Sequence, residues 1–404
     1  MPRTTEVAQS KLEKLVGKLK AYVKEHKARP FQPRPKGSKL RVFSDCAGIS
    51  AETIALTLLG LKQFFTIVGG SEIDEVKRCL IGVVHETCRT SCKSESFATD
   101  IFQRDPKDSP GADIYLAGFP CPAFSKMGRR FGLRDSKKRG IPLVAGLRYI
   151  AYHKPPVVLL EQVTGFLEKK HWLAQKMLRK TFAACGYTVR AKVLQTCDHG
   201  LPQSRPRLWV VALRNPIAEF RFPKALGKCP PIESILDVGK VGDEVLDLSK
   251  FGPSTATEKL RTGYWILDVA SSARFTSIPK HRVSPCLTRS RCKARGYYVP
   301  RLARRLSVEE FSQLQGIPVS ICRNMVRKLL AEHANDKRFT QARCENEVAA
   351  AFGDGMSLNV LQRVLSRALA ASGLWPSQVT RTDFWASPTA FKDVDHTFQG
   401  EAAK

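Results

Sequence analysis

Residues Ala112 to Pro120, ADIYLAGFP, run without a charge after Asp113 into Cys121-Pro122 and on through Ala123 to Arg130, AFSKMGRR. An apolar run of this length reads as a buried strand. Proline fixes its own φ and restricts the residue before it, so Cys121 stands in a stiff loop at the strand's end. A cysteine needed only for packing gains nothing from that stiffness. A nucleophile that must meet one atom does, and the cations Lys126, Arg129 and Arg130 favour its thiolate.

Outward from this strand the same texture repeats. LRVFSDCAGIS (40–50), FFTIVGGSEID (64–74), PPVVLLEQV (155–163) and LWVVAL (208–213) read as strands, with helical stretches such as AETIALTLLGL and WLAQKMLRKTFAACG between them. Strands alternating with helices predict an α/β fold with a mostly parallel sheet. Ligands on such sheets sit beyond the strands' carboxyl ends, where Asp45, Gly48, Glu72, Asp100, Cys121 and Glu161 all fall. The catalytic domain is predicted over 40–214, continued by a long closing helix at about 345–372. Residues 215–320, irregular and proline-rich, read as a smaller recognition region with its following segment. The first 39 residues read as a basic arm and Pro-rich linker, with Leu12, Leu15, Leu19 and Val23 at helical spacing, and 375–404 as a flexible tail.

The chain has 404 residues and a formal charge of +29, from 66 Lys+Arg against 37 Asp+Glu. Such an excess of cations suits a polyanion, nucleic acid above all. No run approaches the ~18 apolar residues of a membrane span, so no membrane partner is expected. The 12 cysteines are scattered and no export signal precedes them, which points to a reduced compartment. His85, Cys88 and Cys92, like Cys286 and Cys292, form no paired ligand framework, so no metal is expected.

The strand ends suggest specific chemistry. A small-residue turn after the first strand admits a cofactor to the backbone, Glu72 is placed to accept from a ribose hydroxyl pair, and Asp100 could take an adenine amine. Glu161 follows four apolar residues, where burial favours a carboxyl group able to donate its proton. Arg205 and Arg207, two apart at a strand's mouth, share a face and suit a base carbonyl and an anion.

Read in order, these segments resemble the DNA (cytosine-5) methyltransferase family. VFSDCAGIS is similar to its S-adenosyl-L-methionine loop, SEID to its ribose acid, TDI (99–101) to its adenine-contacting aspartate and GFPCPAFS to its Pro-Cys loop. LLEQV matches its Glu-Asn-Val motif, PQSRPR (202–207) its Gln-x-Arg-x-Arg motif, RRLSVEEFSQLQGIP the segment after its recognition domain, and FGDGMSLNVL its closing cofactor helix. The resemblance implies a Rossmann-like methyltransferase sheet with helices on both faces. It also implies transfer of a methyl group from S-adenosyl-L-methionine to carbon 5 of a cytosine swung out of double-stranded DNA. Cys121 would add covalently to the ring, Glu161 would act at nitrogen 3, Arg207 would hold the base carbonyl and Arg205 would support the loop. For the cofactor it implies Phe43 (stacking on adenine), Ser44, Asp45, Ala47, Gly48, Glu72, Ile73, Asp100, Ile101, Pro120, Leu143, Asp354 and Met356. For the substrate it implies Pro122, Ser125, Gln203, Arg289, Arg291 and Gln315.

Five positions depart from the family pattern. Asp45 and Ala47 stand where Gly is usual and Asp354 where Asn is usual, Gln162 replaces the Asn that braces the Pro-Cys loop, and Pro122 replaces Gln. Asp45 puts a charge where the backbone should approach the ligand, and its removal is expected to tighten cofactor binding. Two other readings share the fold: a transfer-RNA methyltransferase, whose Cys-Phe-Thr tripeptide is absent, and a catalytically silent nucleic-acid-binding relative. A monomer in the nucleus is expected, with a partner protein supplying any targeting by chromatin marks.

Overall fold

A computed structural model describes residues 3–92, 97–120, 123–124, 132–135, 140–251, 254–270 and 282–387. The chain opens with α1 (Arg3–Glu25), then β1 (Leu40–Asp45), α2 (Ala51–Leu58), β2 (Phe65–Ser71), α3 (Glu75–Cys88), β3 (Phe97–Ala98) and β4 (Ile114–Gly118). It continues through α4 (Pro142–His153), β5 (Val157–Val163), α5 (Trp172–Ala184), β6 (Tyr187–Gln195) and β7 (Pro206–Arg214). The seven strands form one sheet in the order β3-β2-β1-β4-β5-β7-β6. All neighbours are parallel except β7, which runs antiparallel to both β5 and β6.

Side chains alternate across a strand, and the sheet buries both faces. Val42, Ile114, Leu116, Val157 and Leu159 pack on one side with residues of α2 and α3. Phe43, Tyr115, Ala117, Val158 and Leu160 pack on the other with residues of α4 and α5. Such double burial explains the near-continuous apolar runs of β4 and β5. By contrast β6 lies at the sheet's edge, with Thr188, Arg190, Ala191, Lys192 and Val193 turned at least partly to solvent. Its sequence carries no apolar run and predicts no strand.

The first segment is not a free arm. Leu19 and Val23 of α1 are buried in the α4–α5 face. The Lys154 ammonium, 2% exposed, donates to the carbonyls of His26 (2.9 Å), Lys27 (2.7 Å) and Arg29 just past the helix. A buried cation satisfied by three carbonyls fixes the linker to the sheet domain.

Beyond β7 come α6 (Ser254–Thr262), β8 (Leu267–Asp268), α7 (Arg289–Lys293), β9 (Tyr297–Val299) and β10 (Arg304–Arg305); β8–β10 form a small antiparallel sheet. α8 (Val308–Leu314), α9 (Val319–Glu332), α10 (Gln341–Asp354) and α11 (Leu358–Ala371) return the chain to the large sheet's core. The long closing helix expected from the sequence is thus two helices. The chain leaves α10 at Gly355, in extended conformation (φ −68°, ψ 158°), and re-enters helix after Ser357. Residues 375–387 pack instead of trailing: Trp385 is buried against Leu201 and donates its indole N–H to Gln362.

Candidate active site

One parallel and one antiparallel register bring together the groups expected to meet the base. Glu161 of β5 lies opposite Gly118 of β4 and Trp209 of β7. Its carboxylate is buried (4% exposed), and the Arg207 Nε stands 3.0 Å from its Oε1. Arg205, one residue before β7, is also buried. It donates to the carbonyls of Leu287 (2.7 Å), Gly353 (3.2 Å) and Gly355 (2.7 Å). It therefore ties the recognition region and the α10–α11 turn to the catalytic sheet.

One further residue joins this group that the sequence did not single out for catalysis. The Cys286 sulfur accepts from Arg207 (3.6 Å) and Arg205 (3.8 Å). Burial alone would raise this thiol, but the two guanidiniums outweigh it and hold it below its ordinary range. No spacing rule announces Cys286, because its partners lie about 80 residues away in the chain.

Gln162, a departure in the sequence pattern, reaches Phe119 just past β4. Gln162 donates its amide to the Phe119 carbonyl (3.3 Å) and accepts from the Val163 N–H (2.9 Å). Glutamine thus serves where the family has asparagine. Cys121, Pro122 and Ser125 themselves lie outside the described residues.

The cofactor-facing ends are built differently. Glu72 accepts from the N–H groups of Gly48 (2.8 Å) and Asp74 (3.0 Å), using two of a carboxylate's roughly four lone-pair sites. Gly48 has φ +61°, and a Cβ built there meets nothing within 4 Å, so open space borders the backbone. Ile73 beside it is 72% exposed. Asp100 uses one oxygen for the Phe102 N–H (2.9 Å). Ser44, Ala47, Ile101 and Leu143 are buried beneath, and Pro120 is half-buried. Met356 sits against Gly118, its Cε 3.1 Å from a Cβ built there. An open glycine backbone past β1, with the Glu72 carboxylate past β2 and Asp100 past β3 on the neighbouring strands, fits a ligand carrying ribose hydroxyls and an amine.

Phe43 and Asp45 do not face that space. Phe43 is 0% exposed, stacked on Tyr149 with centroids 4.4 Å apart, with the Arg104 guanidinium 4.6 Å from its ring. It cannot present a free face to adenine. Asp45, also 0% exposed, turns to the same side and is held by four donors. Arg104 reaches both oxygens, one at 2.8 Å, Tyr115 donates at 2.8 Å and Ser71 at 2.8 Å. The charge that departs from the family pattern is therefore neutralised inside the protein. Arg104 is the residue sequence reasoning missed here: it lies 59 positions from Asp45.

Several expected contacts are absorbed internally. Gln203 and Gln315 are fully buried. Gln203 donates to Leu314 O (2.7 Å) and accepts from Leu287 N–H (3.3 Å), and Gln315 donates to Phe352 O and Gly355 O (3.1 Å). They brace the site instead of lining it for a substrate. Arg291 pairs with Asp268 at 2.5 Å. Arg289 joins Asp74 (2.7 Å) and Asp354 (3.1 Å), and Asp354 also takes Lys77 (2.7 Å). This ion-pair cluster spans α3, α7 and the end of α10.

Comparison with known proteins follows this geometry. The family model described as C-5 cytosine-specific DNA methylase matches residues 40–322. The type II methyltransferase M.HaeII of Haemophilus aegyptius is 30% identical over 303 residues, covering 70% of this chain and 85% of its own. M.NgoBI of Neisseria gonorrhoeae is 28% identical over 250 residues, 57% of this chain and 72% of its own. Among solved structures, Dnmt2 of S. pombe aligns with a TM-score of 0.51 at 17% identity, covering 83% of this chain and 99% of that one. The Entamoeba histolytica methyltransferase EhMeth aligns at 0.54 and 13%, covering 82% and 98%. At those identities the structures speak for the fold.

Proposed function

Because this chain belongs to the C-5 cytosine-specific DNA methylase family, whose members methylate carbon 5 of cytosine from S-adenosyl-L-methionine, we propose that it does so through a covalent Cys121 adduct. The target is a cytosine turned out of duplex DNA. The observation that carries this reading is the buried Glu161–Arg207 pair beside the strand that leads into the Cys121 loop.

The Cys121 thiolate forms a bond to carbon 6 of the ring. Glu161 protonates or hydrogen-bonds nitrogen 3, and the displaced electron pair enriches carbon 5. Arg207, 3.0 Å from Glu161, then stabilises the carboxylate left behind and is placed to orient the base carbonyl. S-adenosyl-L-methionine, which Gly48, Glu72, Ile73 and Asp100 would hold, would supply an electrophilic methyl group for carbon 5. Loss of the carbon-5 proton to solvent re-forms the ring double bond, expels the thiolate and lets nitrogen 3 return its proton to Glu161. Gln162 acts as a positioning residue by fixing Phe119 ahead of the loop, where proximity lowers the barrier.

The +29 charge supports duplex DNA as the partner through phosphate contacts. We read the enzyme as working alone on DNA, with targeting to chromatin marks left to a partner. The two type II methyltransferases named above, of Haemophilus aegyptius and Neisseria gonorrhoeae, are bacterial, so the nuclear expectation gives way to the wider one of a DNA-containing compartment.

Duplex DNA carrying 5-fluorocytosine, incubated with protein and cofactor, tests the reading. A denaturation-resistant adduct is expected with the wild type and none with Cys121→Ser. An adduct with RNA alone would overturn the substrate, and none with either would overturn the covalent route.

A further inference from the structure

We propose that a cavity between α11 and residues 381–385 is a binding site for a phosphate dianion, separate from the cytosine and cofactor sites. It encloses about 140 Å³ and is lined by Gln362, Arg363, Arg367, Arg381, Thr382 and Trp385, among others. The proposed catalytic groups come from β5, β7 and the loop after β4; this cavity lies against Gln362, Arg363, Ser366 and Arg367 of α11.

The argument is a balance of donors and acceptors. Asp383 is the carboxylate at this site, and Arg363 satisfies it with Nε at 3.0 Å from both oxygens and Nη2 at 2.9 Å. The remaining Arg363 Nη1 donates to His199 Nδ1, and burial pushes that imidazole down to about 4, so it is neutral. Gln362 accepts the Trp385 indole N–H at 2.6 Å through Oε1. Its Nε2 is buried with no hydrogen-bond partner, in a residue 2% exposed. Arg367 and Arg381 make no ion pair among the described residues. With Arg363 and Asp383 cancelling, the lining carries two uncompensated guanidiniums and an orphaned amide donor, while its carboxylate and the Gln362 amide oxygen are taken.

A buried donor without a partner is costly, and two unpaired guanidiniums attract an oxyanion with several acceptor oxygens. A charge of two matches a phosphate that carries roughly −1.5 to −2 near pH 7. A carboxylate or a backbone phosphodiester, with one charge, leaves one guanidinium uncompensated. The ligand chemistry is therefore inorganic phosphate or a terminal phosphomonoester.

Titration of the full chain with inorganic phosphate, followed by calorimetry and by tryptophan emission, tests this. Binding is expected with a change in emission that disappears in Trp385→Phe. Arg367→Gln with Arg381→Gln should weaken binding by at least about tenfold. Both side chains are at least partly solvent-facing, so the fold should hold. A duplex lacking terminal phosphates should bind wild type and double variant with the same salt dependence. Absence of phosphate binding at millimolar concentration overturns the site. A salt slope reduced by about two in the double variant, with no phosphate binding, overturns it in favour of DNA backbone contact.

Discussion

The base-facing and cofactor-facing ends of the sheet treat charge in opposite ways. At the end expected to meet the base, Glu161, Arg207 and Cys286 converge at longer range: Arg207 stands 3.0 Å from Glu161, and its contact with Cys286 is a long 3.6 Å. At the end expected to meet the cofactor, Asp45 is saturated by Arg104, Tyr115 and Ser71. A carboxylate placed where the family has glycine is closed off from the ligand by a second residue that answers it. The difference teaches that a departure inside a motif need not be a departure in the site, provided its compensation is found elsewhere in the chain.

This contrast can be broken at either end. The largest expected effect is Glu161→Gln, which removes the transferable proton while keeping shape: kcat should fall by about 10²–10⁴-fold with DNA affinity retained in a binding assay. Unchanged turnover would remove Glu161 from the chemistry. Next is Asp45→Gly. It leaves the Arg104 guanidinium buried without its carboxylate, so it should destabilise by about 3–5 kcal/mol in denaturant unfolding. This reverses the expectation from sequence alone that glycine would improve cofactor binding. Asp45→Gly combined with Arg104→Leu should recover much of the loss; if the single variant is as stable as wild type, the pair is not holding that end.

A smaller effect comes from acid. His153 stacks on Tyr149 behind the Asp45 network and donates Nε2–H to the Pro106 carbonyl (2.7 Å). Chiefly burial, with Arg29, Arg104 and Arg41 adding, holds it near 4 against an ordinary 6.5. The unfolded chain therefore binds more protons between those values. This contribution to stability is flat above 6.5 and falls as pH drops toward 4. Hydrogen exchange should show β1 and α4 loosening before β5 and β7 in that window, and His153→Gln should flatten the difference. Smallest is Arg289→Ala. Its pairs with Asp74 and Asp354 are partly exposed, so stability should change by no more than about 1 kcal/mol, read by thermal melting.

What the sequence disclosed follows from physics that is local. The strands β4, β5 and β7 are legible because burial on both faces demands unbroken apolar runs. Glu161 is legible because a lone acid ends such a run. β6 escaped because an edge strand has no such demand; the break between α10 and α11 was written in Gly353, Asp354, Gly355 and Ser357, all poor helix formers, but helical periodicity on both sides of it reads through. Arg104 and Cys286 were invisible for one reason: each is defined by a partner 59 or more positions away. No periodicity reports such a pairing. The docking of α1 depends likewise on Lys154, whose meeting with residues 26–29 is a tertiary event.

Arg205 also dictates when the enzyme becomes an enzyme. Two of its carbonyl partners, Gly353 and Gly355, are made 148 and 150 residues after it. During synthesis the sheet can assemble while this guanidinium still waits for its last acceptors. A nascent chain halted before the α10–α11 turn should be compact yet unfinished, its centre completed only when the final helix is released from the ribosome.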